Sequence, residues 1–313
     1  MGGDTFPELH TIRYNKEQYL LLKEFIITKF SSLFDRINDT IILPTKTSFG
    51  DIDILYQSSK LIDWEIVQRE LNSSVKLHNG PFHSFAYNNE FQVDFIEVKY
   101  WDWENFLMSY GGLFNLLGPK FKQNSMKLTN NGIYYILRDE KGDQYSTIKL
   151  TDNFSKIMEF IGLDIERFQL GFKNEEELAI YIARSPFFQL IDYEHSNCKI
   201  KRNLVRPIQK SCIDYIRNLV ERGDFSLIDF AMTKEEIFVY FGVYDEYQKE
   251  LKEVEKRKTI KSKFNATIVS EITGKTSKEL GQTTNKLKLT EGFLEYVLVS
   301  SEEEIREKIK ELI

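Results

Sequence analysis

The chain has little cysteine, no net positive charge and no long apolar run, and each shortage removes a class of protein. Two cysteines in 313 residues, Cys198 and Cys212, exclude a disulfide-built scaffold and suggest a reducing compartment. A single disulfide or two buried thiols remain the open alternatives. A net charge of −6 excludes a surface coated in positive potential, so contact with nucleic acid has to come from local basic patches. No apolar stretch approaches the roughly 20 residues of a membrane-spanning helix. The opening residues Met1-Gly2-Gly3-Asp4-Thr5-Phe6 lack the apolar core of a secretory signal, and Phe6 stands where myristoylation needs Ser or Thr. A cytoplasmic protein without membrane attachment is expected, of cellular, viral or plasmid origin. Gly274-Lys275-Thr276 is no phosphate-binding P-loop: Val269 stands where the earlier glycine is required, and no strand precedes it.

What is present suits an ordinary globular chain. Hydrophobic residues make up 42% and aromatics 14%, enough for a substantial core or a stacking surface, and the length suggests two or three domains.

The most informative stretch is Thr47-Ser48-Phe49-Gly50-Asp51-Ile52-Asp53-Ile54-Leu55. A small polar turn ending in Gly50 runs into a strand whose period of two puts Asp51 and Asp53 on one face. Strands normally exclude Asp, so two on one face mark either a solvated edge or a site for hard cations bound through oxygen. A second strand-like run, Glu90 to Val98, carries Asp94 between Val93 and Phe95, where an ionised carboxylate is costly unless paired or bound to metal. Three such acids suit a two-metal phosphoryl-transfer site, with ions about 3.5–4 Å apart that activate an attacking hydroxyl and steady the leaving group. His78 and His83, five residues apart around Gly80-Pro81, suit packing or surface roles better than a shared metal.

Ser48-Phe49-Gly50-Asp51-Ile52-Asp53 followed by Asp94 resembles the signature of the polymerase-beta-type nucleotidyltransferases. The resemblance implies that Asp51 and Asp53 bind two Mg²⁺ (or Mn²⁺) ions and that Asp94 helps to activate an acceptor 3′-hydroxyl. That family usually opens a phosphate-binding loop with Gly-Ser before its acids. Here the place reads Leu43-Pro44-Thr45-Lys46-Thr47-Ser48, so Lys46, Thr47, Ser48 and Gly50 are the candidates for contacting the nucleotide. Tyr110 to Tyr135, with Gly111, Gly118 and Gly132-Ile133-Tyr134, looks like a stretch that follows the third acid in viral and phage poly(A) polymerases. In this stretch the glycines and Asn115 would let backbone approach a nucleotide, and Lys120, Lys122 and Lys127 would face phosphates; a glycine-packed helix followed by a hairpin through Lys141-Gly142-Asp143 is the alternative. Gly274-Lys275 to Leu280-Gly281 resembles a segment near the tail of tRNA nucleotidyltransferases.

The expected fold is α+β: a small mixed or antiparallel sheet with helices on one face, followed by a mainly α-helical domain. The expected division is 1–148 for the catalytic domain, 149–232 for a helical nucleotide- or acceptor-binding domain, and 233–313 for a helical RNA-binding or capping region. Amphipathic periodicity predicts a helix from Asn15 to about Phe34, and Thr40 to Leu43 reads as a short strand. Asp63 to Leu71, Asn153 to Ile161, Asn174 to Ala183 and Arg202 to Arg222 also read as helices. A capping box at Thr233 opens one long helix through Tyr247 and Val254, which runs into Lys256, Arg257 and Lys258, the best single basic patch and the candidate RNA contact. Lys199, Lys201, Arg202, Arg206 and Lys210 form a second basic cluster. The function these features imply is template-independent addition of nucleoside monophosphates from NTPs, ATP first among them, to an RNA 3′ end. The alternatives are the same fold acting on a small-molecule or protein hydroxyl, and a catalytically silent RNA-binding subunit. Nothing in the sequence specifies the oligomeric state.

Overall fold

The computed structural model describes residues 5–139, 142–194 and 207–313. The chain forms two compact units: one runs to Ile136 and resumes from Lys149 to Met232, and the other joins Leu137–Ile148 to Thr233–Ile313. Cys198 and four of the five basic residues around it, Lys199, Lys201, Arg202 and Arg206, lie outside the described residues.

The first unit begins with β1 (Tyr14–Asn15), α1 (Lys16–Phe30), β2 (Arg36–Asp39), β3 (Ser48–Phe49), β4 (Asp51–Gln57), α2 (Trp64–Glu70), β5 (Lys76–Asn79), β6 (Phe82–Tyr87) and β7 (Phe91–Glu97). Five of these strands make a mixed sheet in the order β2-β4-β7-β6-β5, in which β4 and β7 run parallel and the other neighbours antiparallel. The expected α+β class is what the chain adopts. Helix α1 starts where the Asn15 side chain accepts a hydrogen bond from the Gln18 N–H and Gln18 Oε1 accepts one from the Asn15 N–H, a complete capping box. Its Tyr19, Leu22, Ile26 and Phe30, spaced at three and four, bury with Val67 and Leu71 against Ile52, Ile54, Tyr56, Val93 and Phe95 of the sheet. Each such side chain contributes roughly 1.5–3 kcal/mol by leaving water, so this one face holds most of the unit's sheet in place.

One local expectation needs correction here. The strand entering the Pro44 turn is Arg36–Asp39, not Thr40–Leu43. Asn and Asp argue against a strand there, but Asp39 is buried with its carboxylate 2.7 Å from the Lys23 ammonium on α1, and this tertiary pairing overrides local propensity. His78 and His83 are packing residues, as expected: they are cross-strand partners stacked at 4.2 Å, and His83 stacks on Trp64 at 3.9 Å.

The unit continues through α3 (Trp101–Gly112), α4 (Gly118–Gln123), β8 (Met126–Thr129), β9 (Gly132–Arg138), β10 (Gln144–Thr151), α5 (Phe154–Phe160), α6 (Ile165–Leu170), α7 (Glu175–Ala183) and α8 (Pro207–Glu221). The strands β8 to β10 form a separate sheet in the order β10-β9-β8, and the tip of the β9–β10 hairpin belongs to the second unit. Phe106, Tyr110, Phe114 and Phe168 meet edge-on or stacked and join α3 to α6. Cys212 on α8 is a buried free thiol whose pKa burial pushes up to about 12, so it behaves as an inert core group.

The second unit carries α9 (Lys234–Phe241), α10 (Tyr244–Lys263), α11 (Ala266–Thr273), α12 (Ser277–Leu289), α13 (Phe293–Val299) and α14 (Glu302–Leu312). The single helix expected after Thr233 is two. Gly242 takes a left-handed conformation, φ 72°, and the Gly242 and Val243 N–H groups bond back to Val239 and Phe238, ending α9. Phe264, Val269, Leu287, Phe293, Val297, Ile305 and Ile309 form this unit's own core.

Candidate metal centre

Parallel pairing of β4 with β7 sets Asp53 beside Asp94 and Asp51 beside Gln92. Because side chains alternate, the three aspartates share the face opposite Ile52, Ile54, Val93 and Phe95. One carboxylate oxygen from each lies within 4.8 Å of the other two. Farther along the same strands Leu55, Ile96, Val98 and Trp101 form a small apolar cluster.

Asp94 is 8% exposed. Its Oδ2 accepts a 2.7 Å hydrogen bond from Gln92 Nε2, while its Oδ1 is buried without a hydrogen-bond partner. Burial raises the pKa of Asp94, the Asp51 charge adds to the rise, and hydrogen bonds from Ser84 and Gln92 oppose it. A buried carboxylate with one oxygen lacking a donor, clustered with two more carboxylates, fits an all-oxygen site for a hard divalent cation, whose charge relieves both the desolvation and the repulsion. Asp51, Asp53 and Asp94 are the residues that would hold it.

The segment before the acids is held by cations from elsewhere. Arg13 Nε donates to Ser48 Oγ at 2.8 Å and its Nη2 to the Ser48 carbonyl at 3.2 Å, while Lys16 Nζ donates to the Pro44 carbonyl at 2.6 Å. The Lys46 ammonium lies 4.6 Å from the Phe49 ring centre. Although Lys46 has an exposed surface, the protein around its ammonium lowers its pKa by desolvation; the charges of Asp51 and Asp53 oppose that effect and Arg13 adds to it. Thr47 is exposed, and Gly50 is buried between β3 and β4. Arg13 and Lys16 were not legible as site residues, because they reach this segment over 35 and 28 residues and no local motif marks them.

The other expected contacts fall on later elements. Helix α3 breaks where Tyr110 and Gly111 take left-handed conformations, and Ser109 Oγ accepts from the Ile41 N–H at 3.1 Å while the Tyr110 N–H donates to the Ile41 carbonyl at 2.7 Å. Asn115 is exposed on the 3₁₀ turn Leu113–Leu117 that follows. Lys120, on α4, is only 15% exposed at its side chain and pairs with Asp229 at 2.7 Å. Lys256, Arg257 and Lys258 lie on α10 of the second unit, with Lys256 paired to Glu253 at 2.7 Å. Gly274 is the left-handed C-cap of α11, and Lys275 Nζ donates to Thr283 Oγ1 at 3.0 Å, so that segment forms the turn between α11 and α12.

No protein-family model matches the chain, and no curated protein matches it significantly.

Proposed function

We propose that this chain is a template-independent nucleotidyltransferase that adds nucleoside monophosphates from NTPs, ATP first among them, to an RNA 3′-hydroxyl. The observation that carries the reading is the convergence of Asp51, Asp53 and Asp94 within 4.8 Å, one of them with a buried, partnerless oxygen. Asp51, Asp53 and Asp94 would hold a pair of Mg²⁺ or Mn²⁺ ions, which would supply Lewis-acid chemistry toward the acceptor hydroxyl and the departing pyrophosphate. The chain's own contribution is positional. The β4–β7 register fixes the three carboxylates, and Lys46 adds positive charge beside Asp51 and Asp53 for the polyphosphate.

Asp51→Ala and Asp53→Ala are expected to lose nucleotide transfer by at least about 10³-fold while the far-ultraviolet circular dichroism stays native. Retained transfer in both variants would remove the assignment.

A second reading, the same chemistry on a non-RNA hydroxyl, draws on the charge pattern. The chain's net charge is −6, and Lys256 is already matched by Glu253. Such an enzyme needs no basic track for a strand.

A further inference from the structure

Gln92 is 4% exposed on the acid-bearing face of β7, and a buried amide has to satisfy both its donor and its acceptor. It does so with two partners of fixed polarity. The Thr5 backbone N–H donates to Gln92 Oε1 at 3.1 Å, and Gln92 Nε2 donates to Asp94 Oδ2 at 2.7 Å. A backbone N–H only donates and a carboxylate only accepts, so the amide has one orientation that satisfies both. Gln92 thus holds Asp94 through Oδ2, Ser84 is the polar neighbour across the strand pair, and Oδ1 is buried without a hydrogen-bond partner.

The segment that supplies the Thr5 N–H is itself fixed. Phe6 is 4% exposed, the Ile12 N–H donates to the Glu90 carbonyl at 2.8 Å, and the Tyr14 hydroxyl donates to Glu90 Oε1 at 2.8 Å. The stretch from Thr5 to Tyr14 is therefore tied to the start of β7 at both ends, at Gln92 and at Glu90.

We infer that Gln92 is a positioning residue: carried by the Thr5–Tyr14 strap, it holds Asp94 so that Oδ1 alone serves as its metal-ligating oxygen. The inference rests on the metal-centre reading above. Supporting groups of this kind act by fixing a ligand's orientation, and losing one commonly weakens metal affinity 10–100-fold.

The test is a Mn²⁺ titration followed by electron paramagnetic resonance on the full chain. In Gln92→Leu the Mn²⁺ affinity is expected to fall about 10–100-fold, with altered line shape in the bound-ion spectrum, while thermal unfolding measured in chelator stays near wild type. Gln92→Glu keeps an acceptor for Thr5 but sets a carboxylate against Asp94, and is expected to lose more affinity than the leucine variant. Thr5→Pro removes the backbone donor, with Thr5→Ala as the control for the lost side chain, and is expected to weaken Mn²⁺ binding in the same direction by several-fold, which decides the matter if Gln92→Leu does not fold. Wild-type binding with equal affinity in a folded Gln92→Leu, or in Thr5→Pro where the leucine variant is unfolded, overturns the positioning role and leaves the metal centre standing. No Mn²⁺ bound by the wild type overturns both.

Discussion

Asp94 shows how one residue can be wrong for its element and right for its site. It sits on a central strand beside Val93 and Phe95, where burial raises its pKa, and its buried, unpartnered Oδ1 is the feature on which the proposed metal site draws. The anomaly is visible in the sequence because two apolar neighbours bracket a charge. Its control by Gln92 and Thr5 is not, because the Thr5 contact spans 87 residues and involves a backbone donor that any residue but proline would provide. Glycine gives another test at this scale. Gly132 has φ +107°, and a Cβ placed there would lie 2.1 Å from the Thr151 carbonyl oxygen. Gly132→Ala is expected to destabilise the fold by about 2–5 kcal/mol. Gly142→Ala, whose added Cβ meets nothing within 4 Å, is expected to cost about 1 kcal/mol. Urea unfolding of the two variants measures the difference, and equal costs would show that the close approach to Thr151 is soft.

At the scale of elements, much was readable because capping and turn chemistry are local. Asn15, Asn174 and Thr233 accept the N3 backbone N–H of their helices, and Asn88 and Asn89 take positive φ in the turn that delivers Asp94. The misplaced strand and the undivided helix failed for different reasons. The strand Arg36–Asp39 depends on Lys23, a partner on another element. The break at Gly242 lay inside an unbroken apolar periodicity, so pattern outweighed the one residue able to adopt the left-handed cap. The β5–β6 pair carries a pH prediction. Burial, with the neighbouring His78, lowers the pKa of His83 to about 4. The folded protein thus binds fewer protons than the unfolded chain between that value and about 6.5. Stability from His83 is complete above about pH 6.5 and is lost as pH falls toward 4, by no more than about 3 kcal/mol given partial solvent screening. His83→Phe keeps a ring against Trp64 and is expected to flatten this part of the stability–pH curve. An unchanged curve would assign the loss to other groups.

For the whole molecule, the sequence pointed to the acids and their order, but the pairing that unites them needed the fold. Asp53 and Asp94 are 41 positions apart, and only the parallel β4–β7 register sets them side by side. The basic residues on α10 belong to the second unit, and their part in RNA binding is a separate proposal from the metal centre. Reversing Lys256, Arg257 and Lys258 to glutamate is expected to weaken single-stranded RNA binding and to make its salt dependence shallower by about 2 in the log–log slope. Metal binding should not change. Unaltered RNA affinity in that variant would favour an acceptor other than RNA.

Primer extension decides whether the chain transfers nucleotides, with purified protein, a labelled short RNA, Mg²⁺ or Mn²⁺, and each NTP offered separately. Metal-dependent lengthening of the RNA with at least one NTP is expected, abolished in Asp53→Ala. RNA left unextended with every NTP and either metal would contradict the proposed function.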